Sequence, residues 1–298
     1  MKLKMKGFIP IAALLCTGIV SCKKNEVPAS SPTAQTTTQT LLMRANNTIT
    51  SASDQQSQEV SDVLGSDVVM STDSSPCRMV SFTPSRTVYP HLRTVDFGSG
   101  CTGPDGITRS GKKLVTVYAN WKTASAGTLI SETTFSDFWV DSVSVSGNVK
   151  TYVDTAATPG PLALKIVTNK TFTDTKGNTS TFIATSYWLQ TAGDTTTTTA
   201  DNVYQITSSA TGTEVLDGAT SLTWTSNTDP QHPVIKMGDC AFRSSGALQI
   251  QLTLSEGTVF NEYLDYGNGT CDNNATIAIN GGTPQAVTLP LFFWPLSL

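Results

Sequence analysis

A hydrophobic period of two runs through the chain from residue 77 onward, and it restricts the fold more than any other feature. In the segment KKLVTVYANW, Val115 and Val117 alternate with Leu114 and Thr116. Successive side chains of a strand point to opposite faces of a sheet, so this alternation predicts β-strands. The same enrichment in β-branched and aromatic residues recurs in STFIATSYWLQT, NVYQITSSATG, TSLTWTS and GALQIQLTL.

Turn sequences separate the predicted strands. DTKGN (174–178), LDGA (216–219) and NGGTP (280–284) carry Gly and Asn, which tolerate the positive φ angles of hairpins. No helical pattern of ten or more residues interrupts the strands. We therefore predict an all-β body over residues 77–298, an antiparallel meander that forms a sandwich or a strongly curved sheet. The Thr-rich strands indicate that one face of the sheet is exposed to solvent.

The first 21 residues are typical of a lipoprotein signal peptide. Lys2, Lys4 and Lys6 precede the apolar run GFIPIAALLCTGIV, which is too short to span a bilayer comfortably. The run ends in IVSC, which resembles the lipobox of bacterial lipoproteins and predicts lipidation of Cys22. An ordinary secretory signal or an uncleaved anchor is the alternative.

The residues after Cys22 bear on the location of the protein. Surface lipoproteins of Bacteroidota often carry a Lys and then acidic residues at this point; Lys23 fits that pattern, Glu26 fits it in part, and Lys24 and Asn25 do not. We expect a protein attached to the outer membrane through its N-terminal lipid, on the periplasmic or the cell-surface side.

Two segments connect this anchor to the body. Residues 22–50 are rich in Ser, Thr, Gln, Pro and Ala, a composition that predicts a disordered tether because it buries little apolar surface. Residues 51–76 predict a short helix and a connector. In SDQQSQEVSDVLG, Ser53 can cap the helix, Val60, Val63 and Leu64 share one face, and Gly65 ends it.

Charge excludes one class of partner. Removal of the three lysines of the signal peptide leaves 16 basic residues against 23 acidic ones, a net charge of about −7. A nucleic-acid partner needs a basic face to neutralise phosphates, so none is expected.

Four cysteines remain after lipidation of Cys22, and an even number in an exported chain predicts disulfides. Three connectivities are open, and the short separations favour Cys77 with Cys101 and Cys240 with Cys271. No CxxC pair occurs, which argues against a cysteine-ligated zinc site.

The stretch GITRSGKK (106–113) is one residue short of a phosphate-binding P-loop. Such a loop needs Ser or Thr after its Lys and a helix behind it, whose N-terminal amides hold the phosphates. Here Lys113 follows Lys112, and a strand pattern follows both. We predict a turn that enters a strand ending near Trp121, with the two lysines on opposite sides and no bound nucleotide.

Two segments echo each other. VDFGSGCTGPDG begins at Val95, and LDYGNGTCDNNA begins at Leu264. Each has Asp-aromatic-Gly-X-Gly and then a Cys, with Thr270 as a one-residue insertion in the second segment. They indicate two similar halves, or one Gly-rich device used twice. Both resemble segments of uncharacterised Bacteroidota outer-membrane or surface lipoproteins that share the patterns DFGxGCTGxDG and DYGxGxCDN. The resemblance implies an exported, all-β lipoprotein and no particular chemistry.

Candidate sites are few. Asp96, Asp265 and Asp272 are candidate metal ligands, but no specific calcium spacing surrounds them, and Asp is also a default turn residue. His91 and His232 both lie next to a proline. No HExxH or GxSxG motif occurs, so we predict neither an enzyme nor a cofactor.

The function predicted is that of a binding or structural module of the cell envelope. A surface glycan-binding protein is one alternative, and it would expose aromatic rings. A glycosidase is a second, with two carboxylates about 5–9.5 Å apart. A binding module could also take another protein of the envelope as its partner. At strand spacing the aromatics are more often core residues; the candidates are Tyr118, Trp121, Phe138, Trp139, Tyr187 and Trp188.

Overall fold

The computed structural model describes residues 32–64, 77–103, 106–155, 162–193, 200–238 and 240–289. One helix, α1, spans Pro32–Leu64. The strands are β1 Met79–Thr83, β2 His91–Asp96, β3 Cys101–Thr102, β4 Thr108–Val117, β5 Leu129–Val140, β6 Val143–Val153, β7 Ala163–Asp174, β8 Thr179–Ala192, β9 Val203–Leu216, β10 Ala219–Thr228, β11 Val234–Met237, β12 Arg243–Leu254, β13 Val259–Asn268, β14 Asn274–Ile279 and β15 Gln285–Thr288.

All these strands belong to one antiparallel sheet. Its order is β1-β2-β4-β5-β6-β7-β8-β9-β10-β12-β13-β14-β15, while β3 pairs with β4 and β11 pairs with both β9 and β12. Neighbours in the sheet are therefore nearly always neighbours in the chain, as in a meander. The predicted fold class is confirmed: an all-β antiparallel meander with an N-terminal helix.

The sheet curves around α1. Arg44 contacts Glu214 on β9, Asn46 contacts Glu262 on β13, and Arg243 on β12 reaches Asp54. At 3.6 residues per turn, these three helix residues point in different directions around the helix axis. Strands from the middle and the far end of the sheet thus reach different sides of one helix, which lies in the concavity.

The helix is longer than predicted. Residues 32–50, expected to be part of the disordered tether, form its first half, and the short helix expected after residue 51 is its second half. Thr48 and Ser51 are buried although they are polar. The helix is enclosed by a sheet that carries polar inward-facing groups, and some of its buried polar side chains pair with them, as Thr48 does with Glu214. Residues 22–31 and 65–76 lie outside the described residues.

The apolar core fills the remaining space inside the curve. Along β8 the buried residues are every second one, namely Ser180, Phe182, Ala184, Ser186, Trp188 and Gln190. The Phe182 ring packs 5.8 Å from that of Trp224 on β10. The predicted period of two therefore separates an inner face, which touches the helix and core, from an outer face.

The P-loop-like stretch lies largely inside a strand. β4 begins at Thr108, earlier than predicted, and ends at Val117, four residues before Trp121. The pairing with β5 shifts between Ser110 and Lys112, where Gly111 has a φ of 75°. Lys112 is exposed and Lys113 is buried, so the two lysines point to opposite sides, as predicted. The chain continues as a strand after them and offers no helix N-terminus.

Candidate functional site

A row of hydroxyl groups crosses the outer face of the sheet. Its members face outward and lie one on each of six neighbouring strands of the sheet, β6, β7, β8, β9, β10 and β12: Ser146, Thr171, Thr181, Thr213, Thr223 and Thr253. Neighbouring strands in a sheet lie about 4.8 Å apart, so the row is a ladder of regularly spaced donors and acceptors.

The ladder opens into a shallow pocket at β8 and β9. The backbone of Ser180 pairs with that of Glu214, and the backbone of Ile183 pairs with that of Thr211. Between these two pairs, Thr213 donates its backbone N–H to Oγ1 of Thr181 at 2.9 Å. A side-chain hydroxyl thus takes the place of a backbone acceptor. The resulting pocket has a volume of about 300 Å³.

A glycine permits this local arrangement. A Cβ atom on Gly212 would overlap the carbonyl oxygen of Thr181 and the ring of Trp224. Gly212 therefore allows β8, β9 and the Trp224 ring to approach closely beneath the pocket.

The pocket lining carries no charge. It consists of hydroxyl groups, one amide and one exposed aliphatic side chain around a base formed by Gly212 and Trp224: Thr181, Ile183, Thr211, Thr213, Thr223, Thr225, Gln251 and Thr253. Ile183 is 51% exposed. The Gln251 amide donates to Oδ1 of Asn261 at 3.2 Å, which extends the neutral polar surface onto β13.

A cluster of three side chains lies at the far end of the same face. Asp229 follows β10, His232 precedes β11, and Tyr263 is an outward-facing residue of β13. Tyr263 Oη donates to Oδ2 of Asp229 at 2.7 Å, and Nδ1 of His232 lies 2.9 Å from the same oxygen. Across the strands, Tyr263 pairs with Gln249 of β12, and Gln249 pairs with Asn227 of β10. The cluster therefore continues the polar surface formed by the outer face of these strands.

These hydrogen bonds set the charge of the cluster. The bond from His232, with those from the Gln231 backbone and Tyr263, lowers the pKa of Asp229 to about 2. Burial and the bond to Asp229 raise the pKa of Tyr263 to about 12. An ionised carboxylate only accepts, so Nδ1 of His232 is the donor to it. In the neutral imidazole Nε2 is then the acceptor, on a side chain that is 63% exposed.

The predicted aromatic residues divide between the core and the surface. Phe138 and Trp188 are buried in the core, Trp121 and Trp139 are half-buried, and Tyr118 and Tyr187 are exposed. Tyr187 faces outward on β8. The other histidine noted in the sequence, His91, is buried between the rings of Phe82 and Tyr89.

The candidate metal ligands serve as turn residues. Asp96 accepts the backbone N–H of Gly98, Asp265 that of Gly267, and Asp272 that of Asn274, each at 2.8 Å. The two echoed segments thus use one device twice, an Asp that caps a turn before a glycine of positive φ. Among the described residues, no group of three or more His, Cys, Asp or Glu side chains is arranged to hold a metal ion.

Both disulfides have the predicted pairing. Cys77 is bonded to Cys101 and Cys240 to Cys271, with Cα–Cα distances of 5.4 and 5.5 Å. Each echoed segment is therefore joined to a cysteine that precedes it in the chain.

The predicted lipidation site, Cys22, lies outside the described residues. Within the described part of the chain, α1 lacks the long apolar stretch that a membrane-crossing helix requires. No protein-family model, curated protein or solved structure matches this chain.

Proposed function

We propose that this protein is a lipid-anchored envelope protein that binds a neutral glycan on the outer face of its sheet and does not cleave it. The observation that carries the proposal is the hydroxyl ladder across six strands, from Ser146 to Thr253, with an uncharged pocket at its centre. The anchor rests on the lipobox-like IVSC ending in Cys22.

The chemistry of this face suits a sugar polymer. Hydroxyl and amide side chains both donate and accept hydrogen bonds, as sugar hydroxyls do, so the two surfaces can pair without any charge. The exposed His232 side chain adds a further hydrogen-bonding group, and the exposed Tyr187 ring adds an apolar surface for a sugar face. Weak contacts repeated along a polymer add up through multivalency, which favours a polysaccharide over a single sugar.

The test is isothermal titration with a panel of soluble neutral polysaccharides, namely glucans, mannans and xylans, beside the polyanion polygalacturonate. We expect saturable binding of at least one neutral polysaccharide and no binding of the polyanion. The variant Thr211→Val/Thr223→Val removes two pocket hydroxyls while keeping side-chain shape, so affinity should fall roughly tenfold at about 0.5–1.5 kcal/mol for each hydrogen bond.

A matched control is Thr116→Val/Thr134→Val, which removes two half-buried hydroxyls from the outer face of β4 and β5, away from the pocket. It should bind as the native protein does. Equal losses in both variants, or no binding of any neutral polysaccharide by the native protein, would contradict the proposal. Release of new reducing ends from the bound polysaccharide would show cleavage and contradict the second half of it.

A further inference from the structure

A lysine lies completely buried inside the curved sheet. Lys170 is on β7, and its side chain has no exposed surface. Its Nζ donates to Oε1 of Glu59 at 2.8 Å and to Oε1 of Gln55 at 3.3 Å. The Phe135 ring centroid is 5.5 Å from Nζ. One amine thus contacts a carboxylate and a primary amide in a site closed to water.

The other atoms of those two groups are unpaired. Among the described residues, neither Nε2 of Gln55 nor Oε2 of Glu59 has a hydrogen-bond partner, although both are buried. A buried polar atom without a partner costs free energy, and native structures contain few of them. Gln55 and Glu59 are four residues apart on α1, so their side chains share one face of the helix.

The surroundings favour a reactive amine. Burial is the largest influence on Lys170 and lowers its pKa, and the nearby Lys113 acts in the same direction, while Glu59 opposes both. Desolvated lysines are nucleophiles in other proteins because the neutral amine carries a free electron pair. Holding an amine against an amide replaces a slow bimolecular reaction by an intramolecular one.

We propose that Lys170 and Gln55 form an isopeptide bond within the chain, with Glu59 as the acid–base group. Glu59 first takes one proton from the Lys170 ammonium. The Nζ electron pair then attacks Cδ of Gln55, forming the new C–N bond while one C=O electron pair moves onto Oε1. Glu59 gives its proton to Nε2 and takes the second proton from Nζ.

Collapse of this intermediate completes the reaction. The C=O bond re-forms, the Cδ–Nε2 bond breaks, and ammonia leaves. One amine and one primary amide thereby become one secondary amide and one ammonia, and no oxidant or other reactant is consumed. The new bond also removes the unpaired Nε2 of Gln55 from the interior.

The bond would fasten the N-terminal helix to the sheet. Gln55 and Lys170 are 115 residues apart, so the link closes a long loop and lowers the entropy of the unfolded chain in the same way as a disulfide. It would also carry a mechanical load from the segment preceding α1 directly into the middle of the sheet.

Peptide mapping of the folded full-length protein tests the bond. After reduction and digestion with trypsin, Gln55 lies in the peptide of residues 45–78 and Lys170 within residues 166–176. We expect these two peptides as one branched species, lighter than their sum by one ammonia, with no cleavage after Lys170. A native protein that is cleaved after Lys170 and yields no branched species would overturn the proposal.

Variants separate the roles of the three groups. Lys170→Arg and Gln55→Met should yield only unlinked peptides, and Glu59→Gln should lose most of the link because the proton carrier is gone. The control is Gln56→Met, which alters the neighbouring amide that donates to Thr168 and should leave the link intact. Full linkage in Glu59→Gln, in a protein that retains its native circular dichroism, would overturn the role of Glu59.

Discussion

Arg44 on α1 donates from Nε to Oε2 of Glu214 on β9 across 2.9 Å, and both side chains are almost fully buried. Thr48 Oγ1 donates to the other oxygen of Glu214 at 3.0 Å, and Ser180 Oγ also donates to Oε2. Asp174 lies 3.5 Å from Arg44 Nη1. Charged groups thus hold the helix in the concavity of the sheet, in addition to apolar packing.

This ion pair predicts an asymmetry between single and double variants. Arg44→Leu alone should lower the free energy of unfolding by about 3–5 kcal/mol, because it leaves the Glu214 carboxylate buried without its counter-charge. Arg44→Leu/Glu214→Leu should recover much of that loss. Urea unfolding of the native protein, the two single variants Arg44→Leu and Glu214→Leu, and the double variant measures both effects. A double variant that loses as much stability as the two single variants together would contradict this account.

Asp54 predicts a pH dependence of stability. Burial raises its pKa from 3.8 to about 6, although Arg243 and Lys236 act in the opposite direction. Between these values the folded state holds the proton more tightly than the unfolded state, so the contribution of Asp54 to stability is full below 3.8 and is lost as the pH rises through about 6.

The variant Asp54→Asn should remove that slope. We expect the difference in urea midpoint between the native protein and the variant to change across the window from pH 4 to about 6 and to be constant above it. If the urea midpoints of the two proteins differ by a constant amount through that pH window, Asp54 titrates normally.

Gly212 predicts a link between backbone packing and the pocket. Gly212→Ala should cost about 1–3 kcal/mol, because the new Cβ overlaps the Thr181 carbonyl and the Trp224 ring. Gly100→Ala is the matched control, since its Cβ would meet only Thr108 Cγ2 at 3.9 Å. Thermal unfolding of both variants is the measurement, and equal stabilities would contradict the close approach at Gly212.

The proposed anchor predicts a change of cell fraction. Cys22→Ser should abolish labelling by fatty acid and move the protein out of the membrane fraction, because one thiol carries the lipid. The sequence offers Cys16→Ser as a control that should keep both properties. Unchanged membrane association of Cys22→Ser would rule out the lipid anchor.

The strands were predictable because their pattern is local. Alternation in KKLVTVYANW and the turn residues Asp217 and Gly218, both of positive φ, depend on neighbours in the chain. The disulfides were favoured for a similar reason, since each joins cysteines that are close in sequence. The helix start was missed because residues 32–50 have the composition of a solvated segment. The burial of polar residues among them, such as Arg44 and Thr48, depends on groups of the enclosing sheet.

The candidate site was not predictable to the same degree. The sequence shows threonines at alternate positions, such as Thr211, Thr213, Thr223 and Thr225, and so predicts a wet face. Their alignment into one ladder depends on the register between strands, and a slip of one residue would turn them inward. The Asp229, His232 and Tyr263 cluster likewise brings together residues from a turn and a later strand.

Local patterns in the sequence specified the all-β class, the meander with its turns, and the alternation of side chains between two faces of each strand. These follow from backbone preferences and alternation, which act between residues a few positions apart. Long-range contacts place a polar helix inside the sheet, bring Lys170 to Gln55 and Glu59, and align hydroxyl groups in a ladder around a pocket. Those contacts join residues far apart in the chain, and register and curvature alone bring them within reach.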